Sequence, residues 1–304
     1  MLAGIKEALC ASSKGKVNTG MNAIDSLLEG LIDYAGLYPP AALDMRSAVQ
    51  NYLIYSRSAH AAALGCFVVN MERLSELCEE AGDSLYSMRL CVIASPKADF
   101  AVLSRLISDG ARVEMMEFKT DQPREIQHLS TCVPAGVAAY FEIPVCGDAS
   151  AALEAIAVSG ARAKLRMGGV VAAAFPETQA VADMLQALVA RRIPFKATAG
   201  LHHPIRSRHA FTGEADSVAG MMHGFVNLSC AAALLHFGGE ACVAQRILDE
   251  ENPGAWHVTA DAIGWRSYHW SIEQMRAVRQ EFLISFGSCS FVEPMLDLEA
   301  LGWL

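Results

Sequence analysis

The sequence predicts a (β/α)8 barrel of the TIM type with a helical insertion between strands seven and eight. Three observations lead there. Seven strand-then-helix steps follow one another at roughly 25–30-residue spacing, the rhythm of parallel strands joined by crossover helices. An eighth strand-like run, Leu283-Ile284-Ser285-Phe286-Gly287-Ser288, comes only after a long break in that rhythm. Polar side chains gather at the C-terminal ends of these strands, the face that carries the active site in such barrels. An open doubly wound sheet is the alternative; no GxGxxG follows the first strand and no P-loop occurs, which disfavours it.

Taken in order, residues 1–28 read as an N-terminal helical extension outside the core, split by Ser12-Ser13-Lys14-Gly15-Lys16. The barrel then runs 29–304. Strand 31–36 ends in Gly36, and Pro39-Pro40 opens a helix over about 41–58, since proline suits a first turn. Strand 65–70 follows, with Asn70 as cap of a helix 72–81. Strand 89–94 precedes helix 98–108, which Asp109-Gly110 stops. Strands 113–118, 137–143, 163–167 and 194–199 alternate with helices 122–129, 149–158 and 178–192. After Gly200 the rhythm breaks into an insertion at about 204–282. It reads as a loop to 220, helices over 221–237 and 240–249, an irregular stretch or hairpin over 256–265, and a helix 272–281. The eighth strand begins at 283, and a short helix, 296–301, closes the chain.

The chain is 304 residues long, 53% hydrophobic and 19% charged, with a mean hydropathy of +0.26, which supports a sizeable core and argues against disorder. Its net charge of −9 and the absence of a Lys/Arg cluster exclude a nucleic-acid or anionic-membrane partner and leave a small-molecule substrate. Nine cysteines are scattered without a CxxC pair, which reads as reduced thiols of a cytoplasmic protein rather than a disulfide framework or zinc site. No signal-peptide h-region or membrane-length apolar run is present; the most apolar run, 225–237, is interrupted by Asn227 and His236.

Two strand-like runs stand out, Arg162-Ala163-Lys164-Leu165-Arg166-Met167-Gly168-Gly169 and Pro194-Phe195-Lys196-Ala197-Thr198-Ala199-Gly200. Each carries a lysine four residues before a glycine. Residues two apart in a strand share a face, so Lys164 and Arg166 point together, as do Lys196 and Thr198. A lysine inside a buried strand is costly unless paired or neutral, and a neutral amine attacks carbonyls. Position at the strand ends selects Asp33, Asn70, Glu117, Glu142, Lys164, Arg166, Lys196, His202, His203, Ser288 and Ser290 as candidate site residues. In the functional reading Lys164 forms a Schiff base and Lys196, as a neighbouring cation, lowers its pKa. Glu142, Glu117 or Asp33 then shuttles protons, while Arg166, His202, His203, Asn70, Ser288 and Ser290 hold substrate. The bland reading pairs Lys164 or Arg166 with Glu142 or Glu117 as structural salt bridges.

These runs resemble class I aldolases of the deoxyribose-phosphate aldolase type. That family has a Schiff-base lysine four residues before a glycine on strand six, a Lys-Ala-x-x-Gly run on strand seven and a Phe-Gly-x-Ser turn on strand eight. Lys164 with Gly168, Lys196-Ala197-Thr198-Ala199-Gly200, and Phe286-Gly287-Ser288-Cys289-Ser290 stand in the same order, over about a tenth of the chain. The resemblance implies a cytoplasmic lyase that needs no cofactor or metal. Leu165, Arg166 and Met167 replace the family's small hydroxyl residues, and Glu114 or Glu117 stands where the family has a strand-four aspartate. With these departures and the long insertion, the chain looks like an uncharacterised bacterial barrel family that shares motifs with those aldolases.

Two alternatives remain. His202, His203 and His223, with Asp33 or Glu142, could hold a divalent metal for hydrolysis or metal-assisted lyase chemistry. A catalytically silent barrel would instead use the helices within 221–250 to bind a partner, and the apolar character of 221–237 suits core packing or a homo-oligomer contact better than a lid. Cys289, flanked by Ser288 and Ser290, reads as a small buried filler before a nucleophile.

Overall fold

The computed structural model describes residues 22–212 and 217–304. Eight parallel strands close into a barrel: β1 (Ile32–Tyr34), β2 (Leu64–Asn70), β3 (Arg89–Ala94), β4 (Arg112–Phe118), β5 (Ala138–Ile143), β6 (Arg162–Arg166), β7 (Phe195–Thr198) and β13 (Leu283–Ser288). β13 pairs with both β1 and β7 and so completes the ring. The helices between them are α2 (Met45–Tyr55), α3 (Leu74–Ala81), α4 (Ala101–Ser108), α5 (Pro123–Cys132), α6 (Ser150–Ser159) and α7 (Thr178–Ala190). The expected (β/α)8 barrel is therefore the observed fold. The main core lies between strands and helices. A second apolar cluster, Cys66, Val68, Cys91, Met115 and Tyr140, fills the barrel interior.

The expected N-terminal extension divides. Its first 21 residues lie outside those described. Helix α1 (Ala23–Leu28) buries Ala23, Ile24, Leu27 and Leu28, so it belongs to the core and not outside it. Asn22 caps it reciprocally with Asp25. The helix expected from residue 41 starts four residues later, because Ala42 takes a left-handed φ of 42° and Asp44, whose carboxylate accepts from the Ser47 amide, is the cap. Asn70 caps no helix with its side chain; a 3-10 turn intervenes before α3, and Asn70 Oδ1 instead accepts from the Tyr38 hydroxyl at 2.8 Å.

The insertion is more ordered than its sequence suggests. The stretch expected as loop forms an antiparallel hairpin, β8 (Ser207–Ala210) with β9 (Ala219–Met222). Helix α8 (Phe225–His236) therefore begins after 221. It is buried on all sides except its last residue, as its Leu, Ala and Val content requires, and packs against α7 and α9 (Ala241–Leu248). The stretch expected as an excursion or hairpin is a three-stranded antiparallel sheet of β10 (Trp256–Val258), β11 (Ala262–Trp265) and β12 (Tyr268–Ser271). It leads into α10 (Ile272–Glu281), capped by Ser271, which packs on α1. The last helix, α11 (Val292–Ala300), starts four residues earlier than expected, with Pro294 tolerated in its first turn. No helix of the described residues is long and apolar enough to cross a membrane.

Candidate active site

Parallel pairing sets the register that brings the two lysines together. Lys164 of β6 stands beside Lys196 of β7, and Glu142 of β5 stands beside Lys164. All three side chains point into the barrel, at the C-terminal end, and line a cavity of about 440 Å³. The cavity is also walled by Tyr38, Asn70, Glu117, Arg166, Thr198 and His202, and capped by Phe211 and Met222 of the hairpin.

Glu117 of β4 reaches between the lysines. Its Oε2 lies 2.7 Å from Lys164 Nζ and its Oε1 2.6 Å from Lys196 Nζ. Lys164 Nζ is also 3.0 Å from Glu142 Oε2, and Arg166 Nε donates to Glu142 Oε1 at 3.2 Å. Beneath, Lys196 Nζ donates to Asp33 Oδ2 at 2.6 Å. The Ser285 hydroxyl donates to the same oxygen, and the Cys66 amide to Oδ1 at 2.7 Å. Gly65 permits that approach: a Cβ there would sit 2.4 Å from Asp33 Oδ1. The chain of groups runs Asp33, Lys196, Glu117, Lys164, Glu142, Arg166, with charges alternating along it.

This alternation decides the protonation states. Burial favours the neutral lysines, but Glu117 and Glu142 around Lys164 outweigh it and raise the Lys164 pKa. Burial is likewise outweighed at Lys196, chiefly by Asp33, and its pKa is raised well above the usual value. Burial alone would protonate Glu117 and Glu142; the neighbouring cations prevail and hold both below the usual carboxylate range. Lys196 does act on Lys164 in the expected direction, lowering its pKa, but the two carboxylates outweigh that repulsion and the net shift is upward. The neutral Lys164 that the expectation needed is therefore not the resting form.

Of the expected substrate-binding residues, Arg166, Asn70 and His202 line the cavity. His202 Nδ1 lies 3.2 Å from Glu293. His203, Ser288 and Ser290 are not part of the lining. His203 pairs with Asp297 at 2.6 Å and stacks on His209, Ser288 Oγ lies 3.4 Å from His202, and Ser290 Oγ accepts from the Glu293 amide at the start of α11. Asp33 is fully buried under Lys196 and touches the cavity only through it. His223 meets the Pro176 carbonyl at 2.9 Å, and burial lowers its pKa to about 4. His202, His203 and His223 therefore engage three different partners and do not converge. Among the described residues no group of three His, Cys, Asp or Glu side chains is placed to hold a metal ion.

Sequence reasoning missed Cys91 and Ser285. Cys91 Sγ lies 3.0 Å from Glu117 Oε1 and 3.7 Å from Lys196 Nζ, and burial pushes its thiol pKa up, so it is a neutral donor to Glu117. Its inward parity with Ile93 was available as a signal. A register irregularity between Leu283 and Phe286 hides the direction of Ser285. The hairpin residue Phe211 was also missed. It stacks on Phe175 at 5.1 Å, and Phe175 rests on the close approach of Gly168 and Gly200.

Comparison of the chain with known protein families, with curated proteins and with solved structures finds no match.

Proposed function

We propose that this barrel is a class I aldolase-like lyase that makes or breaks a carbon–carbon bond through an imine on Lys164. One observation carries the reading: Lys164 Nζ lies at the floor of the cavity within 2.7 Å of Glu117 and 3.0 Å of Glu142. A charged amine cannot attack, so it must first lose a proton, and two carboxylates stand in hydrogen-bond reach to take it. The neutral Nζ adds to the substrate carbonyl, whose π pair moves to oxygen and is protonated. That oxygen then leaves as water, and the protonated imine draws electrons from the adjacent carbon, so the neighbouring bond breaks or, in reverse, forms. Lys196, fully buried on Asp33, holds Glu117 in place and keeps it anionic. The lyase assignment, the imine and the residue roles are proposals resting on this geometry and on the motif resemblance.

The full compensation of charge favours a second reading, in which the same groups form a structural ion network in a catalytically silent barrel. Borohydride reduction separates the two. With acetaldehyde as probe, the protein should gain one adduct on the β6 peptide, and Lys164→Arg should gain none there, since a guanidinium stays charged. An unlabelled native protein, or label on Lys196, would discard the proposed role of Lys164.

A further inference from the structure

We infer that the carbonyl substrate is a 2-oxo acid, its carboxylate held by Arg166 and Thr198; this rests on the imine reading above. The interior beneath Lys164 is filled by Lys196, Cys91, Met115 and Tyr140, so a carbonyl bonded to Nζ extends only toward the mouth. The next inward layer in that direction is set by the register. Arg166 stands beside Thr198, and Thr198 beside Gly287. This layer lies two residues, or ~6–7 Å, along the strands from the lysine pair. It offers a guanidinium and a hydroxyl, and on the third strand no side chain at all.

Arg166 is placed for a ligand rather than for the fold. Its Nε meets Glu142, whose other oxygen faces Lys164, while its terminal nitrogens have no partner among the described residues and half of the side chain is exposed. The charges point the same way. Lys119, Lys164, Arg166 and Lys196 stand against Asp33, Glu117 and Glu142, and Lys119 lines the same cavity. Lys119 and Arg166, on the mouth side of the buried pairs, give that end of the cavity two cations for an entering anion to meet. A carboxylate bonded directly to the carbonyl carbon sits between Nζ and Arg166. A planar guanidinium can grip it with two parallel hydrogen bonds. Acetaldehyde, with a methyl group and a hydrogen on its carbonyl carbon, carries no anionic group for that layer.

The chemistry balances without a further reagent. Neutral Nζ adds to C2 of the 2-oxo acid, the former carbonyl oxygen departs as water, and the resulting iminium carries one positive charge beside the substrate's own carboxylate. Borohydride then delivers hydride to C2 and leaves a secondary amine.

The test is borohydride trapping with pyruvate and with acetaldehyde over a concentration range, on the full-length protein and on Arg166→Met. The native protein should reach half-labelling at a pyruvate concentration at least ~10-fold below that for acetaldehyde, and Arg166→Met should erode that preference by ~10-fold or more, the weight of a charge-assisted bidentate pair. Because Arg166 also touches Glu142, both probes can respond to the variant; the ratio isolates the carboxylate. Acetaldehyde trapping on Lys164 without any pyruvate preference would overturn the 2-oxo acid and leave the imine standing. A preference that survives Arg166→Met would overturn the role of Arg166. Absence of trapping with both probes would overturn the imine and this inference together.

Discussion

Glu117→Gln removes the anion between the two lysines and leaves the shape of the side chain almost unchanged. In the native barrel Glu117 serves Lys164 at 2.7 Å and Lys196 at 2.6 Å, and accepts from Cys91 as well. An amide has one accepting oxygen and one donating nitrogen, so whichever way glutamine lies, one ammonium faces an NH2. Coulomb attraction over 2.7 Å at an effective dielectric near 20 is about 6 kcal/mol. Part of this is offset by desolvation, and loss of one partner from a buried pair costs about 3–5 kcal/mol net. The variant should unfold at a denaturation midpoint on the order of 10 °C lower. Its chemistry should move the other way. Glu117 is the nearest support for the raised Lys164 pKa, so without it Lys164 deprotonates more readily, leaving Glu142 as its only carboxylate. Borohydride trapping of acetaldehyde, followed from pH 6 to pH 10, should therefore have its midpoint at lower pH in Glu117→Gln than in the native protein. A variant with native stability and an unshifted trapping profile would refute the view that Glu117 holds both lysines in their charged form.

Two further outcomes follow from the same geometry. The folded-state pKa of Glu142 is depressed, so its ion pairs contribute fully above the unfolded value of about 4.3 and are lost as pH falls through the depressed one. The stability difference between native protein and Glu142→Gln, measured by urea denaturation, should thus stay constant from about pH 8 to 5 and close below about pH 4; a gap that persists into stronger acid would contradict the pairing. Gly168→Ala would set a Cβ 2.9 Å from the Gly200 Cα and 2.5 Å from Phe175, so it should cost about 1–3 kcal/mol and unseat Phe175 from Phe211. Unchanged stability and an unchanged near-UV aromatic signal would show that the two strand ends have room to spare.

Much of the site was legible because strand parity is local information. Lys164 and Arg166 share a face by spacing alone, and so do Lys196 and Thr198; their common cavity follows once the strands are parallel. Asn70, Glu117, Glu142 and His202 were found by the same positional rule. His203 and Ser290 were over-read by it. Beyond the strand end the chain turns, and parity no longer says which way a side chain faces; both residues bond to α11 instead. Cys91 escaped notice because a cysteine in an apolar strand has the same pattern whether it fills space or donates to a carboxylate.

What the amino-acid order determined by itself was the repeat: strand, helix, strand, with lysines four residues before glycines and an apolar helix that had to be buried. Its physical basis is short-range, in side-chain alternation, caps and propensity. The tertiary structure alone decided the electrical state of the site. Whether two buried lysines repel into neutrality or are held as cations depends on what stands within ~3 Å of each, and those neighbours come from β1, β4 and β5, far away in sequence. It also decided that the residues after β7 fold back as a hairpin over the mouth, since a hairpin with short strands gains its stability from the surface it covers, here through Phe211 on Phe175.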